Sequence, residues 1–304
     1  MLSSGVGDPA QELAFVTEFT RQTDAGLVQQ TAGTIAGLSS FVPTDLTHTD
    51  STNNDLTHNY ARWIRSLYGA RAHELGWNPA PGETQKVSLL RIAIVPLVAT
   101  YGEDSALASE ATQLARAWLK DHQPSSASSL DPDMVQPVLA AAAWNGDRAF
   151  YDLLVDEITK DKVQRERAWM IGALTSFRDP EITRARLELL FGKGIDAREL
   201  QRTLMSGRPQ TQEIAWSFVQ QNFDKLNSTI AGARGIPFGA TLPMTATSFC
   251  DSEHQKQVED FFQPRLAALS GAQRYLQNTV ESIQLCGTRR AVLEPALVDL
   301  LNKQ

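Results

Sequence analysis

Cysteine is scarce in this chain: Cys250 and Cys286 are the two in 304 residues. So few cannot build a disulfide framework, and their separation lacks the short-range spacing of a structural zinc site. No apolar run approaches the ~20 residues that a bilayer-spanning helix needs, so no membrane partner is expected. No cluster of Lys and Arg offsets the formal net charge of −7. Nucleic acid and anionic membrane surfaces both require concentrated positive charge and are set aside as partners. Continuous strand-like alternation is missing as well, which argues against a sheet. Residues 1–10 are small and polar and lack the basic-then-apolar layout of a signal peptide. They read as the edge of a fragment, with a native start as the other reading.

What the sequence does have is helical punctuation. Hydrophobic residues make up 42% and charged residues 21%, the balance of a packed protein. Apolar positions recur at three- and four-residue spacings almost throughout. Helices are expected over 9–21, 26–38 and from a cap at Asn54 or Asp55 to Leu75. The run Trp77-Asn78-Pro79-Ala80-Pro81-Gly82 stops that third helix, and a fourth begins near Glu83. Further helices follow over 104–121, 132–145, 148–160, 163–177, 180–191, 197–205 and 210–227. The last three are expected over 252–268, 272–285 and 289–301. Residues 41–54 and the Ser-rich 124–129 read as loops.

Short helices joined by about 2–8 residues make antiparallel neighbours. The expected fold is therefore all-α, with paired antiparallel helices stacked as a curved, solenoid-like (armadillo/HEAT-like) array with a concave face. It is read as one helical domain over 1–304, with a bend near 232–243 where two lobes would meet.

Motifs that carry chemistry are few. His73-Glu74-Leu75-Gly76-Trp77 opens like the zinc-binding H-E-x-x-H, in which two histidines one helical turn apart grip the metal. Trp77 stands in the second ligand position, and indole does not bind zinc. His48, His58, His122 and His254 pair with no other His or Cys at ligand spacing. G-x-S-x-G is absent, and Gly192-Lys193-Gly194 follows a helix rather than a strand, so it reads as a turn. No catalytic residue, metal ligand or cofactor is assigned to this chain.

Three arginines, Arg178, Arg202 and Arg208, are candidates for a substrate groove, because a guanidinium in a concave helical face can hold a peptide's terminal carboxylate. A solvated charge or a surface ion pair is the plainer reading of each. Cys250 precedes one expected helix and Cys286 ends the next. If those helices are antiparallel the sulfurs meet; the alternatives are a disulfide or two buried free thiols. An oxidised pair would imply an exported parent, free thiols a cytoplasmic one.

The order of several short blocks carries a resemblance. Leu75-Gly76-Trp77, Leu89-Leu90-Arg91 and Ala115-Arg116-Ala117-Trp118 come first, then Asp131-Pro132-Asp133 with Ala143, Gly146, Tyr151 and Leu154. Ala173-Leu174, Asp179-Pro180-Glu181, Leu187, Leu189 and Leu190 follow, then Ala215-Trp216-Ser217-Phe218-Val219 and Asn222-Phe223-Asp224-Lys225-Leu226. Phe249, Phe261-Phe262 and residues 271–283 complete the series. This succession resembles the C-terminal helical domain of the aminopeptidase N family of zinc metallopeptidases, in its puromycin-sensitive and endoplasmic-reticulum types. Phe223 stands where that family usually has Trp. The match before about Ala61 is weak.

The resemblance implies a parent enzyme with zinc in a separate catalytic domain, held by H-E-x-x-H and a distal Glu and accompanied by Gly-x-Met-Glu-Asn. Neither motif occurs here. The expected role is a non-catalytic domain that closes over the active site and lines the substrate chamber. Its expected partners are the parent's catalytic domain and a peptide substrate, and the bare docking face of the isolated domain would favour a dimer at high concentration. The alternative is a free-standing helical-repeat module that binds peptides or proteins.

Overall fold

The computed structural model describes residues 9–20, 24–43, 51–120, 130–205, 211–230 and 237–303, apart from the side chains of 51–55 and Thr229. Among them every regular element is helical, with fourteen α-helices, four short 3-10 segments and no strand. Six helix starts share one device. Asp24, Asp131, Asp147, Asp179, Asp196 and Asp251 each sit just before a helix and accept a first-turn amide with the side chain. A carboxylate there satisfies an orphan donor at the positive end of the helix dipole. At Asp131-Pro132 and Asp179-Pro180 the proline takes the first helical position, where its missing N–H is no loss.

The chain divides into two compact units, 1–146 with 292–304, and 147–291. The first holds α1 (Pro9–Phe19), α2 (Ala25–Leu38), α3 (Ser51–Leu75), α4 (Gln85–Thr100), α5 (Ser105–Lys120) and α6 (Pro132–Trp144). Its centre is α4, which packs on α2, α3, α5 and α6. Leu90, Ile94, Val95, Leu97, Val98 and Ala99 are all buried, so α4 is apolar around most of its circumference, as a central helix must be. Thr31 and Tyr68 join α2 to α3 by a hydroxyl–hydroxyl bond of 2.9 Å.

The second unit holds α7 (Arg148–Lys160), α8 (Gln164–Leu174), α9 (Pro180–Glu188), α10 (Ala197–Leu204), α11 (Gln212–Thr229), α12 (Phe238–Thr241), α13 (Ser252–Phe262) and most of α14 (Ala272–Leu301). Here α8 packs on α7 and α10, and α11 on α9 and α12. Trp216, Phe223, Phe261 and Phe262 form an aromatic cluster with centroids 5.1–6.0 Å apart, mostly edge to face. Phe223, the departure from the family pattern, is a full member of it.

Helix ends are held by arginines from neighbouring elements. Arg91 of α4 donates to the carbonyls of Leu75 and Gly76 at the end of α3, at 3.0–3.1 Å, and binds Glu83 with both terminal nitrogens. Arg167 of α8 reaches the Ile158 carbonyl in the last turn of α7 and grips Glu199 of α10 in a fork at 2.9 and 3.0 Å. Arg186 of α9, buried, donates to the Thr203 carbonyl near the end of α10. A guanidinium placed there meets orphan carbonyls and the negative end of the dipole together.

The structure corrects several expected boundaries. Helix α3 starts at Ser51, ahead of the expected cap, so the end of the expected 41–54 loop is helical. The described part of 232–243 is helical as well, through α12 and the 3-10 segment Leu242–Ala246. The α-helix expected over 252–268 gives way to a 3-10 segment after Phe262, where Pro264 has no amide to continue the ladder. The expected break at 286–288 does not exist, because α14 runs unbroken through Gly287. That glycine marks a close approach: a Cβ on it would stand 3.1 Å from the carbonyl oxygen of Cys250.

Candidate functional site

The H-E-L-G-W segment lies at the end of α3, and its residues serve the fold. His73 bonds Asp104 through Nε2 at 2.8 Å, while the Trp77 ring is buried and its N–H donates to the Leu107 carbonyl at 3.0 Å. Because α3 ends at Leu75, Trp77 does not share a helical face with His73. The same face of α3 carries His58, bonded to Glu103 at 3.1 Å, and Arg65, which donates to the Gly102 carbonyl. His58, Arg65 and His73 thus clamp the α4–α5 turn. Burial pushes the Asp104 carboxyl upward, but the Leu107 amide and His73 prevail and hold it below its ordinary value.

His254 is held in the first turn of α13. Its ring stacks on Phe249 at 3.8 Å and lies between Asp251, at 2.7 Å, and Glu213 of α11, at 2.5 Å. Burial raises the Asp251 carboxyl, and the amide and ring of His254 overcome that and lower it. His48 and His122 lie outside the described residues. Among the described residues no group of three or more His, Cys, Asp or Glu side chains is arranged to hold a metal ion.

Two of the three groove arginines can be placed. Arg178 is exposed in the connection before α9, and Arg202 is exposed in the last turn of α10. Arg208 lies outside the described residues. The turn 192–194 connects the 3-10 segment Leu189–Phe191 to α10. Cys250, just before α13, and Cys286, in the middle of α14, have Cα atoms 4.8 Å apart and joined sulfurs.

The arginines described above at helix ends, Arg91, Arg167 and Arg186, are not the ones singled out from the sequence. A signal was present for the first. Arg91 interrupts Leu89-Leu90-Arg91-Ile92-Ala93-Ile94, and a charge inside so apolar a helix must be paired.

Helix α1 presents a different feature. Of its apolar side chains only Leu13 is buried, while Phe15 is 58% exposed and lies tilted against Phe19 at 60°, with ring centroids 4.3 Å apart. Leu27 of α2, which packs on α1, is also exposed. An exposed Phe15 beside the half-buried Phe19 and the exposed Leu27 makes α1 a candidate contact face.

The family model described as the ERAP1-like C-terminal domain matches residues 1–285. Aminopeptidase M1 of Arabidopsis thaliana is 23% identical over 236 residues, which cover 77% of this chain and 26% of that protein. Aminopeptidase M1-C of Oryza sativa subsp. japonica is 24% identical over 215 residues, 70% of this chain and 24% of the relative. A probable aminopeptidase 1 of Saccharolobus solfataricus is 24% identical over 138 residues, 44% of this chain and 17% of the relative. The chain spans about a quarter of the length of the two plant relatives. With the family model matched along nearly its whole length, this all-α chain belongs to the family of ERAP1-like C-terminal domains.

Proposed function

We propose that this chain is the non-catalytic C-terminal domain of a zinc aminopeptidase, closing over the active site of the parent enzyme and lining the chamber that admits its peptide substrates. The observation that carries this reading is the family match over 1–285. The local chemistry supports it: the one segment that opens like a zinc motif spends its histidine on a turn and its tryptophan on the core. Zinc belongs, in this reading, to the preceding catalytic domain. Within each unit, contacts between alternate helices (α2 with α4, α4 with α6, α8 with α10, α9 with α11) support stacked helix pairs. Arg178 and Arg202 are the groove candidates for a substrate's terminal carboxylate.

The face proposed to meet the rest of the parent is α1, with Phe15 and Phe19 at its centre. Buried aromatic anchors dominate interface energetics, so one charged substitution there weakens docking strongly. The test mixes this chain with the separately purified upstream part of the parent and follows association by calorimetry. Wild type binds, and Phe15→Asp binds about tenfold or more weakly. Equal binding of the two would reject α1 as the docking face, and an upstream part without H-E-x-x-H would reject the enzyme reading itself.

A further inference from the structure

An open groove of about 350 Å3 lies between α13, with its 3-10 extension, and the first half of α14. That volume falls at the small end of ligand sites, which span about 300–1,000 Å3. The floor is apolar, formed by Leu276 and Val280, and Leu276 is otherwise buried. One wall carries the carboxylates of Glu259 and Asp260. Gln273 and Gln277, one helical turn apart on α14, line the groove with amide groups.

Among the described residues no lysine or arginine lines the groove. Lys256, one turn earlier on α13, sits 2.5 Å from Asp260, with both side chains mostly in water. Glu259 accepts a long bond of 3.4 Å from Gln255. One ammonium therefore faces two carboxylates, and the groove keeps an unbalanced negative charge above an apolar floor. A long aliphatic stem ending in a cation fits that combination, since such a side chain lays its methylenes on apolar surface and keeps its head among polar groups. The glutamines add donors and acceptors together, which is what an extended peptide backbone requires and a simple amine does not.

We infer that this groove binds a lysine or arginine side chain of an extended peptide segment. The stem lies over Leu276 and Val280, the cationic head meets Glu259 and Asp260, and the flanking backbone bonds the amides of Gln273 and Gln277. Naming a peptide rests on the proposed role in a peptide-trimming enzyme, but the binding test uses this chain alone, so either reading can fail without the other.

The test is fluorescence anisotropy with the 304-residue chain and labelled alanine-rich peptides that differ at one central residue: lysine, arginine, norleucine or glutamate. Lysine and arginine peptides are expected to bind up to about fivefold more tightly than norleucine, the worth of a largely exposed ion pair. Binding weakens as salt rises. The double variant Glu259→Gln/Asp260→Asn removes the preference while circular dichroism and the melting temperature stay unchanged. Lys256→Ala, which frees Asp260, tightens the lysine peptide. Equal affinity for lysine and norleucine, no binding at millimolar peptide, or a preference that survives the double variant would overturn the inference. So would cadaverine competing as well as the lysine peptide, because the groove would then recognise a free amine.

Discussion

Arg91 and Glu83 show how much one polar pair can hold. Their side chains are 4% and 7% exposed, and Arg91 also satisfies two carbonyls at the end of α3. Removing one partner of a buried pair leaves the other charge without compensation, which destabilises by about 3–5 kcal/mol. Arg91→Met is expected to lower the unfolding free energy by about that amount in urea titration. The Arg91 hydrogen bond, working against burial, brings the Glu83 carboxyl down to about 2 from an ordinary 4.5. A carboxyl lowered on folding stabilises fully above its unfolded value and ceases to do so as pH falls toward the folded one. The stability gap between wild type and Glu83→Gln is therefore expected to be widest above about pH 4.5 and to close toward pH 2. A constant gap across that range would contradict the pairing. Burial of Arg91 was legible from the apolar residues around it, but its partners were not. The carbonyls of Leu75 and Gly76 and the carboxylate of Glu83 come together only once α4 folds back on the end of α3.

At the scale of elements, prolines and glycines told where several helices stop and misled elsewhere. The block from Trp77 to Gly82 separates α3 from α4 as its composition demands. The stretch 286–288 looks equally like an interruption, yet α14 continues through it, because Gly287 answers the approach of the Cys250 backbone and not a turn. Gly239 is a second such position. Its amide donates to Asn227 Oδ1 at 3.0 Å, and a Cβ there would stand 2.4 Å from that oxygen and 3.1 Å from the Asn227 Cβ. Gly239→Ala must push Asn227 aside and break the bond that ties α12 to the end of α11. A loss of about 1–3 kcal/mol is expected, with part of it recovered in the Gly239→Ala/Asn227→Ala double variant. Additive losses in the two single variants would show that the clash is not with Asn227. The groove between α13 and α14 was beyond sequence reading for a related reason. Its carboxylates and its apolar floor sit on different helices, and nothing local announces that they face each other.

For the molecule as a whole, helical content and family were the most legible properties, since both rest on patterns repeated along the chain. The link between Cys250 and Cys286 closes a segment of sequence separation 36, which restricts the unfolded chain. We propose that it forms in the mature protein and that the parent folds in an oxidising compartment. Cys250→Ser/Cys286→Ser is then expected to unfold about 2–4 kcal/mol more easily, and a reductant is expected to shift wild type alone. Two free thiols by mass spectrometry of non-reduced protein would contradict that. In the proposed role a catalytic part supplies zinc and the exopeptidase machinery, and we propose that the α1 face docks on it while the α13–α14 groove meets peptides. The most direct measurement is hydrolysis of aminoacyl-nitroanilides, with and without added zinc, by this chain and by the longest reading frame that contains it. Chelator-sensitive turnover in the longer protein, with none in the 304-residue chain, is the predicted result. Zinc-dependent turnover by the shorter chain alone would contradict the account.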